Sequence, residues 1–153
     1  MQLIHRIEQD LLVSLKAREQ ERIGALRMLK NALKNFAIEK RTSMESLTDE
    51  QVVSIVRQEV KRRKESMLAF ESGGRLDLVA KERVELGILE TYLPPALAAD
   101  DLEAVIREVV AERKLSPPYQ FGAVMGPVVK KIAGRADGTT VKAAVEAFIA
   151  KSA

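Results

Sequence analysis

Between Gly122 and Gly138 the chain mixes glycine with cations: Gly122-Ala123-Val124-Met125-Gly126, then Lys130 and Lys131, then Gly134-Arg135-Ala136-Asp137-Gly138. Glycine lets another chain approach closely, and clustered cations attract a polyanion. The chemistry this suggests is binding, with Lys130, Lys131 and Arg135 as the charges and Gly134 and Gly138 bracketing a tight turn. Gly122 and Gly126 lie one helical turn apart, and their expected role is to let a neighbouring helix pack closely. The turn leads into a helix N-terminus, where free amides and the helix dipole favour a phosphate. Asp137 is the competing occupant of that end, as a helix cap. The turn is not a nucleotide-binding loop, because its spacing is one residue short, the lysine is missing and no strand precedes it.

Two further basic concentrations stand earlier in the chain. Lys61-Arg62-Arg63-Lys64 disperses once wound on a helix, and Glu59 is placed to pair with Arg62 and Arg63 three and four residues on. Arg57, Lys61 and Lys64 are left as the less compensated stripe. Arg27, Lys30 and Lys34 form a similar stripe. Each reads either as a secondary nucleic-acid surface or as an ordinary solvated face.

Catalysis fails on inventory. His5 is the single histidine, so no nucleophile has an imidazole base except through that one residue, and the expected place for His5 is beside the apolar stripe of a first helix. Glu82 and Glu85 are one turn apart, as in bundle di-metal sites, but those sites also use Glu-x-x-His pairs, which are absent here. A solvated charged face is the expected reading for both. Asp100 and Asp101 are expected to serve a helix start. No catalytic residue, metal or cofactor is assigned.

The elements that must position these residues are helical. With 46% hydrophobic, 31% charged and 4% aromatic residues among 153, the chain has the balance of an ordered helical protein whose core is aliphatic. Net charge is +3, split as 17 Lys/Arg against 15 Asp/Glu over residues 1–92 and 8 against 7 over 93–153. Bulk charge therefore gives no case for nucleic acid, and the case rests on segregation to one face. Cysteine is absent, which excludes disulfides and thiolate sites and suits a reducing compartment. No apolar run approaches the roughly 20 residues of a membrane span. The expected location is cytoplasmic.

Ile4, Ile7, Leu11 and Leu15 recur at helical spacing, as do Leu26, Leu29, Leu33 and Phe36, predicting helices over 2–18 and 20–41. Thr48-Asp49-Glu50-Gln51 has the form of a capping box, so a third helix starts there and stops at Gly73-Gly74. A fourth is expected from near Asp77, as N-cap, to the break at Pro94-Pro95. Beyond it come a helix with Asp100, Asp101 and Glu103 in its first turn, a break at Pro117-Pro118, and helices around 120–133 and 139–151. Pro127 predicts a kink in the sixth. The fold class is all-α: an N-terminal amphipathic bundle of about four helices over 1–93 and a smaller three-helix domain over 94–153.

These segments together resemble the YqeY-like proteins, whose domain is shared with the tail of the GatB subunit of tRNA-dependent amidotransferase. The resemblance spans essentially the whole chain. It is carried by Arg27-Met28-Leu29-Lys30-Asn31-Ala32 with Lys34-Asn35, by Glu59 to Ser66, and by Gly74-Arg75-Leu76-Asp77-Leu78 with Glu82 and Glu85. Tyr92-Leu93-Pro94, Gly122 to Gly126, and Gly134 to Gly138 with Val141 complete it. It implies a non-catalytic accessory that holds tRNA or another folded RNA, with Lys130, Lys131 and Arg135 as candidate contacts. The amidase-type Ser-Lys constellation and the nucleotide-using core of the amidotransferase have no counterpart here, so the relation is one of kinship. Ala98 and Ala99 stand where these proteins usually offer a hydroxyl cap, and Pro117-Pro118-Tyr119 is unusual before the glycine motif. The alternative expectation is a protein-interaction module, docking onto an aminoacylation or amidation complex through its charged helices.

Overall fold

The computed structural model describes residues 2–152, and every regular element among them is helical. Seven α-helices follow one another: α1 Leu3–Ala17, α2 Gln20–Glu39, α3 Asp49–Ser72, α4 Leu76–Glu90, α5 Ala99–Glu112, α6 Phe121–Ile132 and α7 Gly138–Lys151. A short 3-10 turn, Met44–Ser46, precedes α3. The chain divides into two compact units, one ending at Leu93 and the other beginning at Pro94.

Local sequence explains both ends of α3. The Thr48 side chain accepts from the Gln51 amide at 3.2 Å while the Gln51 side chain accepts from the Thr48 amide at 3.0 Å, a complete capping box. At the other end of α3, Gly74 takes φ +70°, a left-handed value cheap only for glycine. The expected cap of α4 is corrected: Arg75 occupies the N-cap position, and Asp77 lies in the first turn with its carboxylate 3.0 and 3.1 Å from the Arg75 guanidinium. That contact lowers the Asp77 pKa and raises that of Arg75.

The first unit is built on Ile4, Ile7 and Leu11 of α1, Leu26, Leu29 and Leu33 of α2, Val52, Val56 and Val60 of α3, and Leu89 with Tyr92. Each such side chain contributes about 1.5–3 kcal/mol by leaving water. Leu15, expected inside, is exposed; Ser14 takes the inward place and donates its hydroxyl to the Asp10 carbonyl at 2.8 Å. Around the end of this unit, the Tyr92 hydroxyl donates to Asp10 Oδ2 at 2.6 Å, and Arg22 Nη2 lies 3.7 Å from the same oxygen. The Arg6 guanidinium sits 5.1 Å from the centre of the Tyr92 ring.

Charge is buried in this unit too: the expected pairing of Glu59 with Arg62 and Arg63 is present, and the solvated-face reading of Glu85 is overturned. Glu59, Arg63 and Glu85 are all buried. Arg63 Nη1 donates to Glu59 Oε2 at 3.1 Å, and its Nε lies 3.4 Å from Glu85 Oε2. Arg62, exposed, holds the other Glu59 oxygen at 2.9 Å. Glu59 and Arg63 are on α3 and Glu85 is on α4, so the pairing ties two helices together from within.

The second unit has an aliphatic core of Leu102, Ile106 and Val109 from α5, Val124, Val128 and Ile132 from α6, and Val141 and Val145 from α7. Pro127 lies inside α6 without ending it; the proline removes one amide donor, and the helix continues to Ile132 on the packing of its apolar face. The Leu97 amide donates to the Arg135 carbonyl at 3.0 Å, pinning the lead-in of α5 to the turn between α6 and α7.

Candidate nucleic-acid interface

The last turn of α6, the connecting turn and the first turn of α7 carry the candidate residues. Val124, Val128 and Ile132 bury one side of α6. With 3.6 residues per turn, Gly122, Gly126 and Lys130 then fall in one line on the other side. All three are exposed, and a Cβ added at either glycine would meet nothing within 4 Å. The close helix packing expected of Gly122 and Gly126 is therefore corrected: the helix packs by its valines, and the glycines line a bare surface.

The three candidate cations differ sharply in state. Lys130 has no ion-pair or hydrogen-bond partner among the described residues. Lys131 is held between two carboxylates of α5, at 2.7 Å from Glu112 Oε1 and 3.0 Å from Glu108 Oε2, and these contacts, Glu112 first, raise its pKa. Arg135 turns back on its own helix, with Nε donating to the Ile132 carbonyl at 2.9 Å and Nη2 to the Lys131 carbonyl at 3.3 Å. It thus satisfies carbonyls that the end of α6 leaves without intrahelical donors, and its charge suits that end of the dipole.

The turn is shaped by Ala133 and Gly134, both left-handed at φ +50° and +81°. Gly138 is the first helical residue of α7, where glycine is not required by the backbone. Asp137 accepts from the Thr140 amide at 2.7 Å. The end of α7 is thus served by its own carboxylate, the competing occupant, which places negative charge where a phosphate would otherwise sit.

The secondary stripes are partly compensated. Lys30 lies 3.2 Å from Glu8 Oε1 and Lys64 3.9 Å from Glu90 Oε1. Arg27, Lys34 and Lys61 are exposed, and Arg57 is half-buried. Glu82 is half-buried, and no group of three or more His, Cys, Asp or Glu suited to a metal ion occurs among the described residues. The pairing of Glu59 with Arg62 and Arg63 follows from their spacing and is present, but that spacing does not show that Glu59 and Arg63 are buried. Nothing local marks Glu85 as their third member, because it arrives by packing of α4.

The model of the Yqey-like protein family matches residues 4–149. The chain belongs to the Yqey-like family. Among curated relatives of this family member, Altered inheritance of mitochondria protein 41, mitochondrial, of Pyrenophora tritici-repentis is 25% identical, with 88% of this chain and 73% of the relative covered. Its namesake in Eremothecium gossypii is 28% identical, covering 95% and 82%, and that in Kluyveromyces lactis is 29% identical, covering 82% and 68%. Those names give mitochondria as the place of the relatives, in contrast to the cytoplasmic expectation for this chain. No helix among the described residues is long and apolar enough to cross a membrane.

Proposed function

We propose that this Yqey-like protein is a non-catalytic accessory that binds tRNA or a similarly folded RNA, related to the tRNA-positioning tail of tRNA-dependent amidotransferase. The observation that carries the reading is the line Gly122, Gly126, Lys130 on the bare side of α6. Two positions without side chains admit a ribose-phosphate backbone closely, and the unpaired lysine meets its charge. Arg135 and Gly134 set the helix end and turn, and Lys131 is a reserve cation that two glutamates already hold. With 4% aromatic residues, the surface suits backbone and shape recognition and not base stacking.

A second reading is a protein-docking module in the first unit, favoured by the exposed apolar residues Leu68, Leu76 and Val84 of α3 and α4 and by the exposed cations Arg27, Lys34 and Lys61, which have no ion-pair partner among the described residues. Charged stripes of this kind orient a partner more than they hold it. Fluorescence anisotropy with total tRNA, an unrelated hairpin and duplex DNA across a salt series separates the two. Selective, salt-dependent tRNA binding is expected, and Lys130→Glu should lower the slope of log affinity against log salt by about one. Equal weak binding to all three nucleic acids, or an unchanged slope, rejects the RNA assignment and leaves the docking module.

A further inference from the structure

Between α5 and the second half of α6 runs an open groove of about 230 Å³, lined by Val109, Glu112, Arg113, Pro127, Lys130 and Lys131. We infer that this groove seats a backbone phosphate of the bound RNA, gripped between Arg113 and Lys130; the inference rests on the RNA-binding reading above. The apolar lining of the groove is Val109 and Pro127. Its cations include Arg113, the C-cap of α5, and Lys130 of α6. Both are exposed and neither has an ion partner among the described residues.

The carboxylates that would repel a phosphate are already engaged. Lys131 draws Glu112 to 2.7 Å and Glu108 to 3.0 Å, so the acidic side of α5 is answered within the protein. Two uncompensated cations remain facing one concave space, and Lys114, also exposed, follows Arg113. The space is several times the roughly 30 Å³ that a water molecule occupies in the liquid, enough for a phosphate to replace bound solvent. Arginine suits this position because its planar fork presents paired N–H groups to two phosphate oxygens, which a lysine cannot do. In the sequence Arg113 sits in the mixed-charge run Glu112-Arg113-Lys114, far from Lys130, and only the packing of α5 on α6 brings the pair to one groove.

The test extends the anisotropy salt series to the full chain carrying Arg113→Glu, Arg113→Lys, Lys130→Glu, the double reversal, and Lys142→Glu as an exposed charge control on α7, each checked for helicity by circular dichroism. Arg113→Glu and Lys130→Glu should each weaken tRNA binding and lower the salt slope by about one, and the double reversal by about two. Arg113→Lys should keep the slope but bind more weakly, and Lys142→Glu should match the wild type. If Lys130→Glu weakens binding while Arg113→Glu matches the wild type, the groove is wrong and the RNA reading stands. Equal weakening by Lys142→Glu means diffuse charge attraction and also removes the groove. A wild-type protein that binds no tRNA overturns both.

Discussion

Each unit of this protein contains a cation clamped between two glutamates, and the two clamps sit at opposite extremes of burial. In the first unit Arg63 and its partners Glu59 and Glu85 are nearly withdrawn from water, with Arg63 4% exposed. In the second, Lys131 meets Glu108 and Glu112 on the surface, where those glutamate side chains are 60% and 64% exposed. Similar charges at similar distances do different work. A buried clamp cannot lose a member without stranding charge in a medium that solvates it poorly. A surface clamp exchanges its contacts for water at little cost, and its main effect here is on which neighbouring cations stay free.

The largest expected effect breaks the buried clamp. Arg63→Met should cost about 3–5 kcal/mol in urea denaturation of the first unit, because buried Glu85 loses its cation and buried Glu59 keeps only the exposed Arg62. Replacing all three together, Glu59→Leu with Arg63→Met and Glu85→Leu, should recover most of that loss. A single-variant loss below about 1 kcal/mol would make the buried clamp no different from an exposed one.

Tyr92 and Asp10 form an intermediate case, a buried hydroxyl on a partly exposed carboxylate. Tyr92→Phe should cost about 1 kcal/mol. Burial first, and then the hydrogen bond to Asp10, pushes the Tyr92 hydroxyl up from 10.0 to about 12. Between those values the unfolded chain has released the proton while the folded chain still holds it, so raising pH favours unfolding. The contribution is complete below pH 10 and is lost as pH rises through about 12. Denaturation midpoints measured across that range should fall in the wild type, and the part due to Tyr92 should be missing in Tyr92→Phe. Parallel curves for the two proteins would rule out this origin.

The smallest effect belongs to the surface clamp. Lys131→Ala should leave the denaturation midpoint of the second unit unresolved from the wild type. It should nevertheless weaken tRNA binding, because it leaves Glu112, which lines the groove, without its cation. A marked loss of stability would show that the surface clamp holds α5 to α6, and would remove the contrast between the units.

What could be read from sequence follows the same division between local and packed. Thr48 and Gln51 are three residues apart, and Asp137 and Thr140 likewise, so the caps they make depend on little beyond the local chain. The aliphatic stripes of Leu26, Leu29 and Leu33 or of Val141 and Val145 repeat with the helix and face the cores. Leu15 fails because one helical period does not say where a stripe ends, and the neighbouring Ser14 satisfies its own hydroxyl on the Asp10 carbonyl. Gly122 and Gly126 show that spacing identifies a face but not its neighbour. Lys130, Lys131 and Arg135 look alike as letters, and only Glu108, Glu112 and the carbonyls of α6 distinguish them. Arg113 carries no such mark in the sequence, because a groove has no sequence signature when its walls come from separate helices.

The hydrogen bond from the Leu97 amide to the Arg135 carbonyl has a mechanical side. The segment that begins the second unit is fastened to the turn after α6 before it reaches α5. A pull along the backbone through Pro94 and Pro95 therefore has two routes into the unit, the covalent one into α5 and, through this bond, one to the turn at the basic end of α6.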